Sequence, residues 1–462
     1  MTRPRSVGGF LESLRGAWTK IAAGPVGLLM MTNHASLSRS SAALAGTVSA
    51  GLSYGISELV AGVMGIPSLI QGVADWVVDS VPPGMKDWAI SVFGTNDKLA
   101  LIIGIVLVGA ALGALAGMLS RHRLEPALVF FAGFGALGAF ATATNPSAGT
   151  TGPWLNAILA VAGGIGAFSW LRQRPPTPEG GGPDQTRRAL LRTTSVGGLA
   201  LVTAGVGRLW FSASREAASQ RAGVTLAAGP TGSPATASPS FAIDGLTPLV
   251  VPNEDFYRID TAIVIPRIDL DTWSLSFSGL VDRPYQVTFA EIMEMPMVER
   301  YVTLSCVSNE VGGSLVGNAR WLGVPLTDLL DRAGVQTGAQ QIVGRAVDGF
   351  TVGFPVDVAY DGREAMLAVG MNGVALPLEH GYPARLVVSG LYGYVSATKW
   401  ISEIELTTWD GFDAYWVPRG WAKEAPVKTQ SRIDTPRGRV GIGERYIAGV
   451  AWAPNRGVSR VE

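Results

Sequence analysis

Among the 462 residues there is one cysteine, Cys306. A single thiol excludes an intrachain disulfide, a CxxC zinc site, a cysteine-bound iron–sulfur cluster and a CxxCH haem attachment. Whatever Cys306 does, it does alone. It stands just past the alternating stretch Tyr301–Ser305, at the mouth of a loop containing Asn309, Gly312 and Gly313. By itself such a residue reads more readily as a small buried hydrophobe than as a ligand, so its surroundings must decide. No GxGxxG follows a strand and no phosphate-binding GxxxxGK appears, so a bound nucleotide lacks support. The Asp and Glu residues form no local metal-ligand spacing.

The elements that must hold Cys306 begin at Phe241. Short alternating segments such as Trp273–Phe277 and Arg300–Leu304, separated by Gly, Pro and Asp turns, predict strands. Helical patterns are fewer: residues 287–295, and Leu326–Ala333 with Gly334 as its stop. An α+β domain over residues 241–424 follows, rather than a doubly wound sheet.

Before that domain the composition changes. The charged fraction of the whole chain is 16%, well under the roughly 25% usual for soluble proteins, which predicts a membrane portion. Within residues 1–212 the stretches 41–65, 99–119, 126–144, 153–171 and 193–212 read as about five transmembrane helices. Glu58 is the charge inside the first, and Gly104, Gly109, Gly113 and Gly117 suit close helix packing. Lys and Arg gather before the first span (Arg3, Arg5, Arg15, Lys20, Arg39), at Arg121 and Arg123, and from Arg172 to Arg192. Those segments are expected in the cytoplasm and the loops 66–98 and 145–153 outside. The chain then reads as a multi-pass membrane protein whose large C-terminal half is extracytoplasmic. Pro175–Pro183 reads as a linker and residues 213–240 as a flexible tether. Arg187 and Arg188 fit either a twin-arginine export signal before the fifth span or simple charge bias.

His34 and His122 lie near span edges with no histidine inside a span to pair across it, so no haem is expected. Thirty-six Lys and Arg balance thirty-six Asp and Glu. No field for nucleic acid results.

The run Thr303-Leu304-Ser305-Cys306-Val307-Ser308-Asn309 resembles the metal-binding cysteine motif of the sulfite oxidase family of molybdopterin enzymes. Three further motifs accompany it in order. Pro252-Asn253-Glu254-Asp255-Phe256-Tyr257-Arg258-Ile259-Asp260 resembles the family's N-terminal cofactor-contacting segment, ahead of an expected strand at Asp271-Thr272-Trp273. His380-Gly381-Tyr382-Pro383-Ala384-Arg385 is similar to its His-Gly-x-Pro-x-Arg, followed by Lys399-Trp400. Ala425–Ser431 and Tyr446–Trp452 resemble the entry to its immunoglobulin-like dimerisation domain. That domain, over residues 425–462, is expected to be incomplete.

The resemblance implies a membrane-anchored, molybdenum-dependent oxidoreductase performing two-electron oxygen-atom transfer on a small sulfite- or sulfoxide-like substrate. Cys306 is implied as the metal's thiolate, a soft ligand that must lose its proton. Asn253, Phe256, Tyr257, Asp348, His380, Arg385, Ala397, Thr398 and Lys399 are implied to hold the molybdopterin. Arg385 offers its phosphate a fork, Lys399 a point charge and His380 a switchable donor. Arg258 is implied at the anion site, and Trp421 stands where the family has an active-site tyrosine, so an indole that only donates replaces a phenol. Electrons then need a separate partner, a cytochrome or quinone-linked protein, and a homodimer is in prospect. A metal-free protein that keeps this fold for binding alone is the alternative, separated from the first by metal content.

Overall fold

The structure is a computed structural model that describes residues 37–93, 97–145, 148–173, 184–211, 220–226 and 241–462. The expected linker at 175–183, His34, the basic residues from Arg3 to Lys20 and residues 213–219 and 227–240 of the expected tether lie outside these. The chain divides into two compact units, one taking residues up to 60, 103–137 and 155–207, the other 61–102, 138–154 and 208–462.

Seven helices precede residue 212 among the described residues: α1 (Arg39–Met64), α2 (Leu69–Ser80), α3 (Pro83–Phe93), α4 (Asp97–Leu119), α5 (Glu125–Ala143), α6 (Gly152–Arg172) and α7 (Asp184–Phe211). α4, α5, α6 and Leu190–Gly207 of α7 are long and apolar enough to cross a membrane. α1 and α2, bent by 92° at their break, make a fifth if they count as one span. Ser68 ends the break by capping α2, its hydroxyl accepting from Gln71 N–H while the Gln71 side chain returns the bond. The first unit packs through small residues: a Cβ on Gly117 would sit 2.1 Å from Ala42 O, and one on Gly46 2.0 Å from Gly113 O. Gly104, expected at such a seam, faces open space.

The second unit contains two five-stranded sheets. One has the order β2 (Tyr285–Thr288), β1 (Ser274–Gly279), β10 (Ile401–Thr407), β5 (Gln341–Ala346), β6 (Thr351–Pro355), antiparallel except where β1 meets β10. The other runs β3 (Val298–Ser305), β4 (Val316–Pro325), β7 (Ala365–Met371), β8 (Val374–Ala375), with β9 (Arg385–Val388) also on β7. Leu275, Phe277, Leu329, Leu330 and Ile404 bury one core; Phe256, Trp321, Met366 and Tyr382 bury another.

Local chemistry sets the element ends. The helix expected over 287–295 is shorter. Val287 and Thr288 pair with Leu275 and Ser274 as strand, and Thr288 then caps α8 (Phe289–Glu294) in a reciprocal bond with Glu291. α9 (Leu326–Ala333) stops where expected, Gly334 taking φ 71°. Asp271 and Thr272 form a turn in place of the expected strand. Residues 220–223, inside the expected tether, are helical, and Arg221 is fastened to Leu376 O at 2.8 Å. Residues 425–462 form one two-stranded sheet, β11 (Gln430–Thr435) with β12 (Ala448–Trp452).

Candidate cofactor and metal site

β3 and β4 pair down to Ser305 and Val316, so Cys306 opens the connecting loop. The loop is closed from within. Cys306 N–H donates to Leu315 O (2.9 Å), Asn309 N–H to Cys306 O (3.1 Å), and Asn309 Oδ1 accepts from Leu315 N–H (2.8 Å). It is also held from outside, because Arg432 of β11 donates to Gly313 O and to Thr247 Oγ1 (2.8 Å) and pairs with buried Asp434 (2.7 Å). The Cys306 thiol is half-buried, and burial pushes it above its usual range. Deprotonation there needs a positive partner such as a metal.

The segment Asn253–Asp260 lies against the His380 turn. His380 is buried; its Nε2–H donates to Asn253 O (2.9 Å), and its ring meets Phe256 edge-on at 5.6 Å. Phe256 stacks on Tyr257 at 5.2 Å. Burial raises the Tyr257 phenol, Cys306 adding to the rise and Arg385 opposing it.

That cluster is built on a tight turn. Gly381 has φ 110°, and a Cβ there would lie 3.1 Å from the Cβ atoms of both Arg385 and Lys399. Only glycine brings the three together. Arg385 is 5% exposed, donates to His380 O (3.1 Å) and lies over the Trp321 ring at 5.0 Å. Burial lowers it to about 10, so it stays charged at neutral pH. Among the described residues it makes no ion pair with a carboxylate. Lys399 pairs with Asp260 (2.7 Å) and donates to Glu379 O (3.1 Å); burial lowers it to about 8, with Asp260 resisting. Burial raises Asp260, but Lys399, Arg258 and Lys98 overcome this and hold its carboxyl well below the usual range. Asp348 turns its Oδ1 onto Phe350 N–H (3.1 Å); burial raises its carboxyl, and the charges of Asp260 and Lys399 both reach it.

The other expected residues are placed differently. Thr398 is fully buried, its Oγ1 without a hydrogen-bond partner and close to where a Cβ on Gly344 would lie. Ala397 closes the one-turn helix Gly393–Ser396. Arg258 turns its Nε onto Asp260 (2.8 Å) instead of presenting the whole fork to a ligand. Trp421 packs with Trp416 (4.8 Å) and Tyr394 (5.0 Å). A cavity of about 870 Å³ is lined by Asp348, Phe350, Tyr415 and Arg419 among others, but not by Cys306. Asp260 and Arg432 are the residues sequence reasoning missed. Asp260 closes a motif already singled out, whereas nothing local marks Arg432.

Burial lowers His380 to about 4, against the pull of its bond to Asn253. An unfolded histidine titrates near ~6.5. Between those values the unfolded chain binds more protons, so the stability this group contributes is present above about pH 6.5 and lost as pH falls toward about 4. Thermal midpoints of the extracted protein should decline across that window, and His380→Gln should flatten the decline.

Residues 262–416 match the family described as the oxidoreductase molybdopterin binding domain. Among similar proteins, the "uncharacterized oxidoreductase YuiH" of Bacillus subtilis (strain 168) is 33% identical over 153 residues, 33% of this chain and 74% of that protein. A nitrate reductase [NADH] of Brassica napus is 29% identical over 179 residues, 33% of this chain and 19% of that protein. The chain therefore spans about a fifth of that nitrate reductase. The crystal structure of the sulfane dehydrogenase SoxCD from Paracoccus pantotrophus is 26% identical with a TM-score of 0.40, covering 45% of this chain and 60% of that one.

Proposed function

Since the chain belongs to the family of molybdopterin-binding oxidoreductases, we propose that it is a membrane-anchored enzyme acting outside the cytoplasm on a small sulfite- or sulfoxide-like substrate. The observation that carries the site is Arg385, a buried guanidinium bonded to backbone carbonyls and an aromatic face with no carboxylate partner among the described residues. A cation so placed costs several kcal/mol unless an anion joins it. The phosphate of a molybdopterin is such an anion, and Arg385 and Lys399 would hold it, with His380, its Nε2–H already given to Asn253 O, bracing the turn that carries them. Asn253, Phe256 and Tyr257 would line the pterin, and Cys306 would supply a thiolate to the molybdenum. When bound, the molybdenum centre supplies two-electron oxygen-atom transfer.

The chain's own residues do the holding. Gly381 lets the two cations approach, Asn253 O fixes His380 as a neutral donor through Nε2, and the doubly anchored loop keeps Cys306 in place. With Arg258 tied to Asp260, an anionic substrate meets a partly occupied guanidinium, which favours an uncharged oxide such as a sulfoxide. Elemental analysis of the full-length protein should find about one molybdenum per chain, and a screen over sulfite and sulfoxides with artificial electron carriers should give turnover. A metal-free, folded protein from cells that make the cofactor would sink the proposal.

Electrons would pass to or from a separate cytochrome or quinone-linked protein. The sheet of β11 and β12, with exposed Ile433 in β11 and exposed Tyr446 and Ile447 just before β12, supports reading residues 425–462 as part of a dimerisation domain. Membrane placement is supported by the apolar helices. Lys98, the second residue of α4, bonds to Asp260, and this supports a catalytic domain on the same side as the 66–98 loop.

A cofactor-loaded domain working outside must cross the membrane folded, the task of the twin-arginine route. Arg187 and Arg188 lie in the first turns of α7. Changing both to Lys is expected to leave the earlier helices inserted and strand the catalytic domain in the cytoplasm, as read by protease access from either side. Charge bias alone predicts no change, because Lys keeps the positive charge.

A further inference from the structure

Lys98 is the second residue of α4, a helix apolar enough to span a membrane, yet its ammonium is spent on the catalytic half. Nζ donates to Asp260 Oδ1 (3.0 Å), Asp260 O (3.0 Å) and Ala262 O (2.6 Å). All three of its hydrogens are thereby used on residues 260–262. The Asp260 side chain, 4% exposed, also takes Lys399 (2.7 Å) and Arg258 (2.8 Å) on Oδ2. Three cations thus share one buried carboxylate.

We propose that Lys98 is a positioning residue for Lys399, acting through Asp260 from the start of a membrane helix. The inference rests on reading Lys399 as a holder of the cofactor's anion. Two physical effects carry it. By binding the Asp260 and Ala262 carbonyls, Lys98 fixes the backbone from which the carboxylate projects. By sharing Oδ1 with Arg258, it draws part of the carboxylate's charge away from Lys399, whose ammonium bonds Asp260 Oδ2 and Glu379 O and makes no further hydrogen bond among the described residues, leaving a third hydrogen for a ligand. Without Lys98, Asp260 turns more of its charge onto Lys399, and the surplus of positive charge that attracts an anion shrinks. The start of α4 is then part of the cofactor site.

The test uses the full-length, cofactor-loaded protein in detergent and follows molybdenum and pterin lost during dilution and dialysis. Lys98→Met should release the cofactor on the order of tenfold faster or more, as is typical when an outer-shell partner is removed. Lys98→Arg, which keeps a multiple donor, should restore most of the retention. Lys399→Met should release it at least as fast as Lys98→Met. Wild-type retention in Lys98→Met, alongside loss in Lys399→Met, overturns the role of Lys98 and leaves the site reading standing. Wild-type retention in Lys399→Met overturns the site reading itself. Should Lys98→Met fail to insert, Asp260→Asn poses the same question with α4 intact, and unchanged retention in it overturns the proposal.

Discussion

Cys306→Ser is expected to abolish turnover and molybdenum binding while the domain stays folded. Serine matches the cysteine in shape, and the bonds that close the loop run through the Cys306 backbone and the Asn309 and Arg432 side chains, none of which the change removes. Stability should therefore move by no more than about 1 kcal/mol. What disappears is the soft, ionisable sulfur. A hydroxyl is a hard, poorly ionised donor and a weak substitute toward molybdenum. The activity loss should exceed the roughly 10- to 100-fold that follows from changing an outer-shell partner. Purified Cys306→Ser with wild-type turnover would remove Cys306 from the site, and an unfolded variant, read by circular dichroism, would show that the loop depends on the sulfur itself.

The sequence already carried the parts of this site that are local. Cys306 stands at a strand end because Arg300–Leu304 alternates, and α9 ends at Gly334 because only a residue tolerant of positive φ continues there. The long apolar helices were legible because nearly uniform apolarity is itself the signal. What stayed hidden is pairing at a distance. Asp260 meets Lys399 across 139 residues and Lys98 across 162, and nothing in the local pattern announces either partner. The same holds for Arg432, which reaches back 119 residues to Gly313. Arg258, implied at an anion site by the family resemblance, gives its Nε to a carboxylate two residues on. The overlong helix at 287–295 arose because helical pattern begins at Phe289 while Val287 and Thr288 still belong to the pairing of β2 with β1.

Arg385→Met should move two measurements in opposite directions. In the cofactor-free protein the guanidinium is a buried charge at neutral pH, compensated by backbone carbonyls and the Trp321 face. Replacing an unpaired buried charge by an apolar side chain of similar length removes a desolvation cost of several kcal/mol per ion. A gain of ~1 kcal/mol corresponds to a rise of roughly 2–4 °C in the unfolding midpoint of a domain this size. Cofactor retention should fall in the same variant by at least about tenfold, the equivalent of losing ~1.4 kcal/mol of binding, because a charge-assisted fork to phosphate is among the stronger contacts available to it. A purely structural Arg385 gives another pattern: truncation leaves His380 O and Leu386 O short of a donor, the apo-protein loses stability, and retention is unaffected. Melting of the apo-protein and pterin release from the loaded protein, measured on one preparation, therefore decide whether this cation is there for the fold or for an anion.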